Sequence, residues 1–428
     1  MDKIPFPQMD EQLYYEKLEN GLDVYILPKK KFHKTFATFT TKYGSIDHHF
    51  TPLGEKSPKK VPDGIAHFLE HKMFEKEEGD VFHTFSKQGA SANAFTSFTR
   101  TAYLFSATSN VKENVRTLLD FVQQPYFTEQ TVEKEKGIIG QEIQMYDDNP
   151  DWRLYFGTIE NMYVRHPVKI DIAGTIDSIS HITKDLLYEC YHTFYHPSNM
   201  LLFIVGPVDP NEIIDLVREN QSKKSFPMQK EITRIFEEEP ENVDQKKTRL
   251  AMNVKIPKCM VGIKGNFIGQ RGKDLLKTEL AVQLLFAMLF SKSSKQYQYL
   301  YDEGLIDDSF SFDYTQEESF GFALVGGDSK DPDRLAQFIE NTVLQAKAGE
   351  NISQEQLDRV KKNKIGSILR AFNSPEYIAN QFTRYAFLGT NMFEVVPMIE
   401  SITFDDVLQL ADHFIDKKRF TVCQIVPK

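Results

Sequence analysis

The run Gly64-Ile-Ala-His-Phe-Leu-Glu-His-Lys-Met-Phe74 places His67, Glu70 and His71 within five residues. On an α-helix, residues four apart lie one above the other on the same face. His67 and His71 can therefore aim one imidazole nitrogen each at a single ion. Glu70 reaches the edge of that site without joining the stripe. Two neutral imidazoles beside a carboxylate suit a divalent transition ion, zinc first. A catalytic zinc normally takes three protein ligands and keeps a position for water. The helix expected from Thr128 offers Glu129, Glu133, Glu135 and Glu142. Glu135 and Glu142 are two turns apart and share a face, with Ile138 and Ile139 beside it, so that face is expected to point inward. Two inward carboxylates are costly unless a cation meets them. Glu142 is accordingly assigned as the third ligand, and Glu135 as the group that orients a ligand histidine. Zinc would acidify its water and polarise a scissile carbonyl. Glu70 would take the water proton as general base and then pass it to the leaving amine.

The elements that must position these residues follow from pattern. Leu22 to Leu27, which alternates at first, and Thr35 to Lys42 read as strands. Thr51 to Gly64 is a Pro- and Gly-containing loop leading to the motif helix, with Asp63 its expected N-cap. Asn93 to Thr108 holds two more strands, and Asn110 with Glu113 marks the start of a helix running towards Gln124. Asn199 to Val205 is an apolar strand. Helix Ile182-Thr-Lys-Asp-Leu-Leu with strand Pro197 to Gly206 matches helix Ile402-Thr-Phe-Asp-Asp-Val with strand Lys417 to Val426, without a gap, 220 residues later. This repeat predicts an α+β protein of two homologous halves, each a mostly antiparallel sheet with helices packed on it. The expected spans are 1–220, a polar linker 221–247, and 248–428, the last without a copy of the metal motif.

Bulk properties narrow the function. A chain of 428 residues exceeds one core, and 41% apolar with 26% charged residues is ordinary for a globular protein. A net charge of −10 argues against nucleic acid or an anionic membrane as partner. No apolar run is long enough to span a bilayer, and the first residues lack a signal-peptide core. Cys190, Cys259 and Cys423 make neither a disulfide framework nor a zinc site, so a reducing cytoplasm is expected. His48 and His49 read as a solvated loop, and His192 and His196 as structural. The Phe-rich segments around Phe82–Phe98 and Phe310–Phe322 read as core.

Asn20-Gly21-Leu22, Gly44-Ser45, Gly64 to His71, Gly89-Ala-Ser-Ala-Asn-Ala-Phe-Thr96 and Glu135-Lys-Gly-Ile-Ile-Gly-Gln-Glu142 occur in an order that resembles the inverzincin peptidases. That family includes pitrilysin, insulin-degrading enzyme and the mitochondrial processing peptidase; the length resembles its half-size, bacterial processing-type branch. The resemblance implies zinc on His67, His71 and Glu142, Glu70 as base and Glu135 as an accessory acid. It implies an edge strand at Asn93, Ala94 and Phe95 that pairs with an extended substrate, and two chains closing as a clamshell around a chamber. The implied activity is a zinc endopeptidase acting on peptides or unfolded segments; alternatives are a non-catalytic assembly subunit and a dedicated peptide-maturation factor. The family usually supplies an Arg and a Tyr from its non-catalytic half. The matching positions here are Leu300 and Asp307, beside Tyr299 and Tyr301. The expected partner is therefore a related chain carrying that pair; the alternatives are that Tyr299 or Tyr301 substitutes, and a homodimer.

Overall fold

Strand Thr35–Thr41, Thr-Phe-Ala-Thr-Phe-Thr-Thr, is buried along its whole length, as is Met200–Gly206 beside it. Unbroken burial marks strands covered on both faces. They sit at the centre of a seven-stranded sheet ordered Asp2–Phe6, Glu11–Lys17, Asp23–Pro28, Met200–Gly206, Thr35–Thr41, Thr101–Ala107 and Ala90–Thr96. The computed structural model describes residues 1–428 other than Glu78, Met228 and Lys230. It divides into two units, the second built on a five-stranded sheet: Lys247–Met252, Phe420–Pro427, Lys258–Lys264, Gly321–Asp328 and Ser311–Gln316.

The second sheet reproduces the last five strands of the first. In each, the first two strands of that set run parallel and all later neighbours antiparallel. The closing strands Met200–Gly206 and Phe420–Pro427 follow 3-10 turns Pro197–Asn199 and Lys417–Arg419, an offset of 220 residues. The fold is α+β and internally duplicated.

The units differ from the contiguous spans 1–220 and 248–428. Residues 144–170 belong to the second unit and 372–387 to the first. Helix Pro150–Met162 packs on Phe420–Pro427 and Lys258–Lys264, while helix Pro375–Phe387 packs on Met200–Gly206 and Thr35–Thr41. Each half gives up one helix to cover the other's sheet. An amphipathic pattern says that a helix needs an apolar surface, not whose. Nor is the acidic stretch after Ser222 a loose tether. The Thr233 carbonyl accepts from the Thr51 N–H at 3.0 Å, Ile235 N–H donates to the His49 carbonyl at 2.9 Å, and Arg234 pairs with buried Asp47 at 2.8 Å. Further along, Glu239 accepts the N–H groups of Val164, Arg165 and His166. Those bonds and Lys264 hold its carboxyl below the usual range although burial opposes them.

Two helix starts depart from expectation. Gly64, not Asp63, occupies the N-cap of the motif helix, and Asp63 instead meets His48 Nδ1 at 2.6 Å. Asn110 sits at its N-cap in the left-handed region and makes no capping bond; its side-chain amide donates to the Gln88 carbonyl. The three cysteines are buried free thiols, and Phe310, Phe320 and Phe322 lie in the core. Phe82 is instead 41% exposed, stacked on Phe74.

Candidate metal centre

Helix Ile65–Met73 carries the motif. Gly64 enters it at φ +86°, where a Cβ would come within 2.3 Å of the Ala173 carbonyl oxygen, so only glycine admits this entry. Phe68, Leu69 and Met73 are fully buried and fix the helix against strands Ala90–Thr96 and Thr101–Ala107. Lys72 is also fully buried; it pairs with Glu75 and reaches the Thr131 carbonyl at 3.4 Å, which ties the motif helix to helix Glu129–Asp147. On that helix Val132, Ile139 and Ile143 form the buried stripe, whereas Ile138 is 46% exposed. Of the two isoleucines flanking the acidic face, only Ile139 points inward.

This packing brings the sequence-predicted residues together. His67 Nε2 lies 3.8 Å from Glu142 Oε1, and His71 Nε2 lies 3.6 Å from Glu142 Oε2. One donor atom from each of the three falls within 4.8 Å of the others, and among the described residues no second such group of His, Cys, Asp or Glu occurs. The donor set, two imidazoles and one carboxylate, fits a zinc-type ion. His67 Nδ1 is buried with no hydrogen-bond partner, so the polar approach to this ring is through Nε2. His71 differs: its Nδ1 lies 3.0 Å from Glu135 Oε1, which leaves Nε2 to face Glu142.

Electrostatics divide the two rings. Burial, with help from neighbouring His71, pushes His67 down to about 4. Burial also works against a charge on His71, but the hydrogen bond to Glu135 and the surrounding carboxylates outweigh it and raise that ring. Glu135 is held low by His71 despite its own burial. Glu70 is raised by burial, partly offset by a 2.6 Å hydrogen bond from the Thr96 hydroxyl. Thr96 closes the Gly89–Thr96 stretch, and its part at Glu70 comes from the tertiary packing. Alternation along the edge strand puts it two residues from Ala94, on the same face.

Strand Ala90–Thr96 is the edge of its sheet, paired among the described residues only with Thr101–Ala107. Asn93 is exposed, and its side-chain oxygen accepts from the Ala94 N–H at 2.9 Å. Phe95 lies under the Arg100 guanidinium at 5.7 Å. In the second unit Leu300 is fully buried, and Asp307 accepts from the backbone and hydroxyl of Ser309. Tyr299 stacks on Phe338 and accepts from Arg334, while Tyr301 is 51% exposed.

Comparisons with known proteins bear on this geometry. The family model for "Insulinase (Peptidase family M16)" matches residues 54–176, and that for "Peptidase M16 inactive domain" matches residues 181–364. An uncharacterized zinc protease of Bacillus subtilis is 64% identical over 425 residues, 99% of each chain. A second from the same organism is 26% identical over 335 residues, 75% of this chain and 78% of the other. The crystal structure of a putative M16-like peptidase from Alicyclobacillus acidocaldarius superposes with a TM-score of 0.95 at 38% identity, covering 99% of this chain and 100% of that one. A Helicobacter pylori protease shares the fold at TM-score 0.84 and 20% identity, covering 97% and 100%. No helix among the described residues is long and apolar enough to cross a membrane.

Proposed function

The chain belongs to the insulinase-type M16 peptidase family, and from that premise we propose that it is a zinc endopeptidase acting on peptides or unfolded segments. The observation that carries this reading is the convergence of His67, His71 and Glu142, with Glu135 behind one ligand and Thr96 behind Glu70. His67, His71 and Glu142 would hold the ion. Bound zinc supplies Lewis acidity, which acidifies water and polarises a peptide carbonyl. Glu70, buried beside the ligands and steered by Thr96, accepts the water proton through its carboxylate and returns it to the departing amine. Glu135 holds the His71 ring in the orientation and tautomer that leave Nε2 free. The edge strand at Asn93, Ala94 and Phe95 would take an extended substrate as an added strand, which grips backbone more than side chains.

The second half offers no group for the substrate carbonyl at the matching positions. Leu300 is apolar and buried, Asp307 is anionic, and Tyr299 is already engaged by Arg334. Loss of one such donor costs about 10²–10³ in rate. The proposed working form is thus a dimer with a related chain that carries an Arg and a Tyr, closing around a chamber. Three buried thiols are compatible with a reducing compartment.

The test is zinc quantification with peptide cleavage, for this chain alone and with its sister chain. About one zinc per chain, and cleavage that needs the sister, is the expected result. A Glu70→Gln protein should keep its zinc and lose turnover; normal hydrolysis by that variant would refute the role of Glu70. Robust cleavage by the chain alone would overturn the heterodimer.

A further inference from the structure

The duplication sets the same three elements together twice. Helix Ile65–Met73, edge strand Ala90–Thr96 and helix Glu129–Asp147 have as counterparts helix Gly272–Phe290, edge strand Ser311–Gln316 and helix Gln354–Ala371. Phe312, Asp313 and Tyr314 follow Ala92, Asn93 and Ala94 by 220 residues. The helix pairs starting at Glu129 and Gln354, and at Pro150 and Pro375, are offset by 225, which sets Val360 and Ser367 where the first half has Glu135 and Glu142. Helix Gly272–Phe290 contributes Gln283, Phe286 and Ala287 to the same spot. Nothing there repeats the metal donor set. Two glutamate positions have shrunk to valine and serine, and a cavity of about 340 Å³ stands between the three elements.

The cavity walls are charged as well as apolar. Lys364 lines it and lies in the fields of Glu279 and Asp313, in hydrogen-bond contact with neither. Burial depresses the Lys364 ammonium, and the two carboxylates do not make up the difference. Arg359 stands at the rim, exposed, and Phe286 and Phe312 supply apolar walls. An ammonium with no contact partner among the described residues, beside a cavity, favours a carboxylate ligand. A simple anion would also meet Asp313, and a simple cation would meet Lys364 and Arg359. A molecule bearing both charges suits all three. The volume is at the low end of small-molecule cavities. An added peptide strand fits less well, because Gln283 Nε2 already donates to the Tyr314 carbonyl of the edge strand at 3.2 Å.

We propose that this cavity binds a small zwitterion with an apolar side chain, a free α-amino acid or a dipeptide. Its carboxylate lies on Lys364 and Arg359, its ammonium faces Asp313, and its side chain rests on Phe286 and Phe312. Endopeptidase cleavage releases short zwitterionic peptides, the smallest of them dipeptides, so the site would sense product; that last link rests on the peptidase reading, while the binding itself does not.

Calorimetric titration of the full chain with L-leucine and L-phenylalanine tests this directly. Saturable binding is expected, weakened about tenfold or more in N-acetyl-leucine, which lacks the ammonium, and in leucinamide, which lacks the carboxylate. Lys364→Met should abolish it by removing the cation, and Ser367→Phe by filling the space from an exposed helix position, each with an unchanged far-UV spectrum. Should Lys364→Met misfold, Ser367→Phe still reads the site. No saturable binding of either amino acid would overturn the proposal. So would equal binding of the blocked derivatives, or binding that survives substitution in a folded variant. A chain that binds leucine but neither holds zinc nor cleaves peptides would sink the peptidase reading and leave this site standing.

Discussion

One helical turn separates His67 from His71, yet only His71 has a carboxylate on its Nδ1. The two rings are therefore held by different means: His67 by burial, His71 by Glu135. Removing the Glu135 carboxylate takes away the bond that orients a ligand ring, and such partners typically contribute 10–100-fold in metal affinity. Glu135→Ala is expected to lose about that much zinc affinity in competition with a chelator; unchanged affinity would reduce Glu135 to an ordinary surface acid. Thr96 acts on the base instead. A hydrogen bond to a charged group contributes about 1.5–3 kcal/mol, or about 10–100-fold. Thr96→Val should lower kcat within that range, with KM and zinc content near those of the wild type, and Thr96→Ser should restore it. A matching fall in zinc content would instead mark Thr96 as structural support for the whole centre.

At the scale of elements, strand periodicity was plain in the sequence and helix caps were not. Asp23–Pro28 and Thr35–Thr41 fall where the local pattern puts strands, because strand propensity and side-chain period are local properties. Asp63 and Asn110 have the right types for caps, but a partner from elsewhere outcompeted each: His48 for Asp63, and the Gln88 carbonyl for Asn110. The exchanged helices make the same point on a larger span. Helix Pro375–Phe387 covers the first sheet through Phe382, whose ring meets Phe203 at 4.6 Å and Tyr25 at 4.8 Å. Truncating a buried aromatic costs about 3–5 kcal/mol. Phe382→Ala should destabilise the first unit by about that amount in urea unfolding followed by a probe placed in that unit. A change under about 1 kcal/mol would mean the helix is only lightly seated.

For the whole molecule, the exchange sets what can fold alone. A fragment of residues 1–220 would carry the motif helix and helix Glu129–Asp147, but would leave Met200–Gly206 and Thr35–Thr41 without helix Pro375–Phe387. It would also lack Arg234, the partner of buried Asp47. Such a fragment is expected to bind hydrophobic dyes and to unfold without a cooperative transition, by circular dichroism with urea. Cooperative unfolding like that of the intact chain would show the borrowed helix to be dispensable. The sequence by itself determined the types and local spacing of the metal donors and the internal repeat. Helical and strand periods are properties of a few consecutive residues, so pattern suffices for them. Only the tertiary structure decided which carboxylate meets which ring across 64 residues, that Thr96 reaches Glu70 across 26, and which half each exchanged helix covers. Those outcomes depend on packing between distant segments, where several carboxylates and several amphipathic helices satisfy the same local pattern and only burial and geometry choose among them.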